Sequence, residues 1–152
     1  MKHYLSGGIM ILGIIVCSLF AGQSNATTSE CRGNLKMIVS GLESDKGQIK
    51  FDLDNAADTF KPKENGKKAF LNGHSLIKNK KVEYLFMDIP CGEYAIKLYH
   101  DANMNQTLDK NFLNIPNEKY GFSNCKGCIR PPKWEKAKFV FDKEHPEITI
   151  KL

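Results

Sequence analysis

No window of this 152-residue sequence offers an amphipathic helix of three turns, so nothing is at hand to carry the crossovers of a parallel α/β sheet. Internal repeats and low-complexity tracts are also missing. A Walker-type glycine loop is absent, as are H-E-x-x-H and G-x-S-x-G, and with them go the phosphate cradle, the zincin helix and the nucleophile elbow. There is little charge imbalance. Lys+Arg 22 against Asp+Glu 17 gives +5, spread along the chain, whereas a nucleic-acid binder needs a clustered basic face. What is present is an ordinary globular balance, 41% hydrophobic, at a length that allows one domain.

Residues 1–26 hold one lysine and no acid. Lys2 and His3 form a short basic start, 9–20 is an apolar run, and Ser24-Asn-Ala26 offers small residues to a signal peptidase. The run is shorter than the roughly 20 residues of a membrane span. Val16 before Cys17 argues against a lipoprotein signal. The expectation is a leader cleaved after Ala26 and an exported, periplasmic or secreted chain 27–152, with no membrane anchor left.

Export governs the cysteines. Cys31, Cys91, Cys125 and Cys128 remain after cleavage, an even set for which disulfides are the default in an oxidising compartment, with three possible connectivities. Cys125-Lys-Gly-Cys128 also has the spacing of a redox motif or half a zinc site. Its flanks, Gly121-Phe-Ser-Asn124 and Arg130-Pro-Pro132, break the helix that a thioredoxin-like thiolate needs, and Cys31 and Cys91 do not form a second close pair. A structural disulfide is the first reading; a thiol–disulfide or metal–thiolate protein using Cys125 and Cys128 is the alternative.

The dominant period is two. Leu35/Met37/Val39, Ile49/Phe51/Leu53, Val82/Tyr84/Phe86, Tyr94/Ile96/Leu98, Ala137/Phe139/Phe141 and Ile148/Ile150/Leu152 give six half-buried strands. Turn residues separate them at Ser44-Asp-Lys-Gly47, Asn65-Gly66, Asn72-Gly73, Pro90-Cys-Gly92 and His145-Pro146, and one helical turn fits 54–59. Polar outer faces joined by short turns predict an all-β fold, a single antiparallel Greek-key β-sandwich of about seven strands. The lysine-rich stretches 61–68 and 78–81 read as solvated turns that discourage edge pairing.

The 101–133 segment breaks this rhythm, being longer than the roughly 12–15 residues of an ordinary connection. Its apolar content predicts an ordered excursion. It opens with oxygen-bearing residues at alternate positions, Asp101, Asn103, Asn105, Thr107 and Asp109, a spacing that turns hard ligands inward around Ca²⁺. Gln106 replaces the usual turn glycine and Phe112 the closing glutamate, so affinity would fall in the range of roughly 10⁻⁴–10⁻³ M. The competing reading is an Asn/Asp turn bonded to its own backbone. No other cofactor is implied.

Pro90-Cys-Gly-Glu-Tyr94, a strand running into His100-Asp101-Ala-Asn103-Met-Asn105, then Leu108-Asp109, Asn111-Phe-Leu113, Ile115-Pro116 and Tyr120-Gly-Phe-Ser-Asn124, resembles domain-of-unknown-function family 2141 of small exported bacterial proteins. The likeness runs from about Leu35 to Leu152. It implies a prealbumin-like or Ig-like sandwich and no assigned activity. Members have glycine where this chain has Met104 and Gln106; Cys125 and Cys128 stand outside the pattern.

Catalytic candidates are few. His100 beside Asp101 at a strand end could serve as a general base, but a histidine bonded at the core edge is the plainer reading. Ser123 lacks an elbow, His74 sits beside a Gly73 turn, and His145 precedes a proline. His100, Phe112, Tyr120, Phe122 and Trp134 could line a groove; alternatively the aromatics form a satellite core under the long loop. The expectation is a non-catalytic monomer, a binding or structural module for a protein or small ligand, with no nucleic acid.

Overall fold

The computed structural model describes residues 30–61, 68–128 and 130–152. The expected leader, the interior of the 61–68 loop with its Asn65-Gly66 turn, and Ile129 lie outside the described residues. Eight described strands stack in two open sheets: β1 (Arg32–Ser40), β2 (Gln48–Asp54), β3 (Leu71–Leu76), β4 (Val82–Pro90), β5 (Gly92–Asp101), β6 (Tyr120–Phe122), β7 (Phe139–Phe141) and β8 (Glu147–Lys151). Two single helical turns, α1 (Ala57–Phe60) and α2 (Trp134–Ala137), complete the elements. One sheet runs β4-β1-β8; the other runs β3-β2-β5-β6, with β7 also pairing β5.

All six alternating runs fall on this framework. Leu35, Met37, Val39, Ile49, Phe51, Leu53, Val82, Phe86, Tyr94, Ile96, Leu98, Phe141 and Ile150 are buried in one core between the sheets. Burying each such side chain is worth about 1.5–3 kcal/mol, which fixes register, because a one-residue slip would turn every one of them outward. Phe51, Tyr84 and Phe86 stack across the layers with centroids 4.6–5.4 Å apart.

The sandwich is mostly antiparallel, not wholly so as expected. β8 runs parallel to β1, from Lys36↔Glu147 to Ser40↔Lys151. The cause is the turn after β7. Asp142 accepts hydrogen bonds from the backbone of Glu144 and His145, which delivers Pro146 O to Lys36 N at 2.8 Å and starts the chain alongside β1.

Asn72-Gly73, expected as a turn, lies inside β3, and His74 with it. Gly73 faces Phe51 in register, and a Cβ there would come within 2.9 Å of the Phe51 ring. The glycine makes room for a neighbour's ring, a use of strand glycine that mimics a turn signal in sequence. Ala137 closes α2 instead of opening the Phe139 strand. Cys31 and Cys91 are bonded, Cα–Cα 5.3 Å, tying the start of β1 to the β4–β5 corner, where Cys91 N also donates to Cys31 O at 2.8 Å.

Candidate functional site: the roofed outer face of the five-stranded sheet

Alternation puts Gln48, Lys50, Asp52 and Asp54 of β2 opposite Asp101, Tyr99, Lys97 and Ala95 of β5, on the face turned away from the core. Polar strand positions of this kind are expected to be solvated. Gln48, Asp54 and Asp101 are instead buried: the excursion after β5 folds back onto Asp101 and its partner Gln48, while Lys97 and Thr59 of α1 lie against Asp54.

Asp101 anchors that return. Its side chain is fully buried and accepts Gln48 Nε2 at 2.8 Å and the backbone N–H groups of Asn105 and Gln106, each at 3.0 Å. Burial alone would raise its carboxyl, but the Gln48 amide and the N–H groups of Gln106, Asn105 and Met104 outweigh it and hold the group below the ordinary 3.8. Met104 and Gln106 take left-handed φ of 62° and 69°, at the positions where the resemblance puts glycine. The remaining predicted ligands close on one another. Asn103 and Asn105 each donate a carboxamide to Asp109, at 2.7 and 2.9 Å, while Asn105 Oδ1 takes the Thr107 N–H and hydroxyl, both at 2.8 Å. Glu118 spans the base, accepting Ala102 N at 2.9 Å and Asp109 N at 3.0 Å. Among the described residues, no group of three or more His, Cys, Asp or Glu is arranged to hold a metal.

At the other end of the same face a satellite core forms from Phe60, Ala95, Phe122 and Ala137, with Tyr120, Trp134, Cys125 and Cys128 packed against it. Ser123 stitches it to β5. Its hydroxyl accepts Ile96 N at 2.9 Å and donates to Ala137 O at 2.6 Å, while Ser123 N donates to Ile96 O at 2.9 Å, filling the ladder between β6 and β7. A fully buried hydroxyl so engaged is a structural group and no nucleophile. Between the two ends, Lys97 Nζ lies 2.9 Å from Asp54 and 3.6 Å from Asp52, and donates to Thr59 O at 3.1 Å. Burial pushes the Asp54 carboxyl above its ordinary 3.8 and the Lys97 bond pulls the other way; Asp54 Oδ1 has no hydrogen-bond partner among the described residues.

The centre of the face is open. A cavity of about 1150 Å³ is floored by Lys50, Asp52, Lys97 and Tyr99, and walled by β3 at Asn72 and His74, by Gln106, Thr107, Leu108 and Lys110 of the roof, and by Tyr120 and Phe122. Tyr99 donates its hydroxyl to Gln106 O at 2.8 Å, and burial followed by the charges of Asp101 and Glu118 pushes it up to about 12. Lys50 reaches Gln106 Oε1 at 3.4 Å. Among the described residues, Lys50, Lys68, Lys97 and Lys110 face a single lining carboxylate, Asp52, which is matched by Lys97.

Of the residues proposed for a groove, Tyr120 and Phe122 reach this cavity. Phe112 is 94% exposed on the tip of the excursion and contacts none of it. Trp134 packs against Phe60, centroids 5.9 Å apart, in the satellite core. His100 faces the other way, its Nε2 2.7 Å from Lys46 O, so it and Asp101 do not form a pair able to work on a substrate. Lys50, Asp52, Lys97, Tyr99 and Glu118 were not singled out in the sequence; the one hint was that a 33-residue ordered excursion has to cover something. Cys125 and Cys128 are bonded to each other, Cα–Cα 5.7 Å, which uses up the thiolates that a metal would need.

A family described as uncharacterized protein conserved in bacteria (DUF2141) matches residues 37–149. No curated protein and no solved structure matches.

Proposed function

Because the chain belongs to the DUF2141 family of uncharacterized bacterial proteins, a description that names no reaction, we propose from the geometry an exported, monomeric, non-catalytic β-sandwich that binds an anionic ligand carrying a flat apolar part. The observation that carries this is the roofed cavity of about 1150 Å³, a little above the roughly 300–1,000 Å³ of small-molecule sites, with its lysine excess and its aromatic wall. His100, Asp101 and Ser123, the groups a hydrolase would recruit, are each spent on holding backbone. The two disulfides fit an oxidising compartment, which supports export.

Anilinonaphthalene sulfonate joins an aromatic system to one anion and is a suitable probe. Its fluorescence should rise on the folded protein and fall back in Lys50→Glu and Tyr120→Ala, while Phe112→Asp leaves it unchanged. Equal fluorescence from all four proteins would take the ligand out of this cavity.

A second reading, calcium at the 101–109 loop, is supported by the convergence of the Asn103 and Asn105 carboxamides on Asp109. Turning both amides end for end would present oxygens beside Asp109, at the cost of the bonds that Asn103 Oδ1 takes from Asn105 N–H and Asn105 Oδ1 takes from Thr107. Thermal melts in EDTA and in millimolar Ca²⁺ decide it. A rise of about 1–2 kcal/mol at tenfold the dissociation constant, lost in Asp109→Ala, supports a metal site; identical melts leave an Asn/Asp turn.

A further inference from the structure

Away from the cavity, the excursion raises three large apolar side chains into solvent. Phe112, Leu113 and Ile115 are 94%, 62% and 55% exposed. The knuckle that carries them is closed at its base by a Lys110↔Pro116 bridge and by Asn117 N donating to Asp109 O at 2.8 Å. Inside it, Asn111 N donates to Ile115 O and Asn114 N to Asn111 O, both at 2.9 Å. Asn111 Oδ1 takes the N–H groups of Leu113 and Ile115 at 2.9 and 3.0 Å, and Asn114 turns the corner at φ 62°. The N–H groups of residues 111, 113, 114 and 115 therefore find partners within the turn.

We propose that this knuckle is a reversible contact with an anionic lipid surface, with Phe112, Leu113 and Ile115 seated at the acyl boundary and Lys110 at headgroup level. Three features favour lipid over a protein socket. The knuckle is convex, where a bilayer needs a projection. Four of its backbone donors, those of residues 111, 113, 114 and 115, are satisfied from within, which lowers the cost of entering a hydrocarbon boundary; a protein socket could supply partners itself. The local charge also matches: Lys110 stands at the base, and the nearby carboxylates of Asp109 and Glu118 are turned inward onto Asn103, Asn105 and the backbone. Three side chains give a weak, reversible association, in keeping with the lack, among the described residues, of any helix long and apolar enough to cross a membrane.

Cosedimentation with vesicles tests this, using the chain as recovered after export and its Phe112→Asp/Leu113→Asp variant in the same processed form. The wild type should sediment with phosphatidylethanolamine–phosphatidylglycerol vesicles and far less with phosphatidylcholine alone. The double variant, with an unchanged melting temperature, should bind the anionic vesicles at least about tenfold more weakly. Phe112→Trp should gain blue-shifted emission on those vesicles that the wild type does not show. Equal sedimentation of wild type and double variant would assign any binding to lysines alone and overturn the proposal. Absence of vesicle binding by the wild type would overturn it too, and knuckle-dependent self-association in the ultracentrifuge would then place a protein there instead.

Discussion

Asp101 shows how one carboxylate decides the course of a long segment. Its oxygens collect Gln48 and the amides that begin the roof, so Asp101→Ala leaves buried donors without an acceptor. A loss of about 2–3 kcal/mol in urea unfolding is expected, with Asp101→Asn recovering part of it. The pH dependence follows from the lowered carboxyl. Asp101 contributes stability above the unfolded value of 3.8 and loses that contribution as pH falls through its lower folded value, so the wild type should lose its advantage over Asp101→Asn in that acid window. Asp54 has the opposite sign. Its folded value is raised, so its contribution is present below 3.8 and is lost as pH rises through the folded value. Asp54→Asn should therefore gain on the wild type between acid and neutral pH, read from the urea midpoint at each pH. Ser123→Ala should cost about 1–3 kcal/mol by leaving Ile96 N and the β6–β7 splice unpaired, with probe binding retained.

At the scale of elements, the two disulfides should differ in weight. Cys31–Cys91 closes a separation of 60 residues and Cys125–Cys128 one of 3, which chain entropy converts to about 4 and about 2 kcal/mol. Cys31→Ala/Cys91→Ala should accordingly depress the melting temperature more than Cys125→Ala/Cys128→Ala. The strands legible in sequence are those with one buried and one polar face, such as Leu35-Lys-Met37-Ile-Val39. β3 was hidden because Gly73 exists to accommodate Phe51, and β6 because it spans only Tyr120–Phe122 and is covered on both faces. Alternation gives β2 and β5 a polar outer face, which the structure shows to carry Lys50, Asp52, Lys97 and Tyr99, yet nothing within either strand says that a later segment returns to cover it. That information lies in Asp101 and Glu118, whose bonds are to backbone amides and leave no residue-type signature. The oxygen-rich spacing of 101–109 reads in sequence as a calcium loop or an Asn/Asp turn, and in the structure its donors and acceptors close on one another.

At the scale of the molecule, one sheet carries the core on its inner face and a second, roofed chamber on its outer face. The satellite core seals one end of that chamber and the Asp101 loop the other, leaving lysines and tyrosines around an open centre. Amide chemical shifts of the folded protein, titrated with anilinonaphthalene sulfonate, test this directly. Shifts confined to Lys50, Asp52, Lys97, Tyr99, Gln106–Lys110 and Tyr120, saturating with one affinity and abolished in Lys50→Glu, are what the roofed chamber predicts. Shifts centred on 112–115, or scattered without saturation, would contradict it.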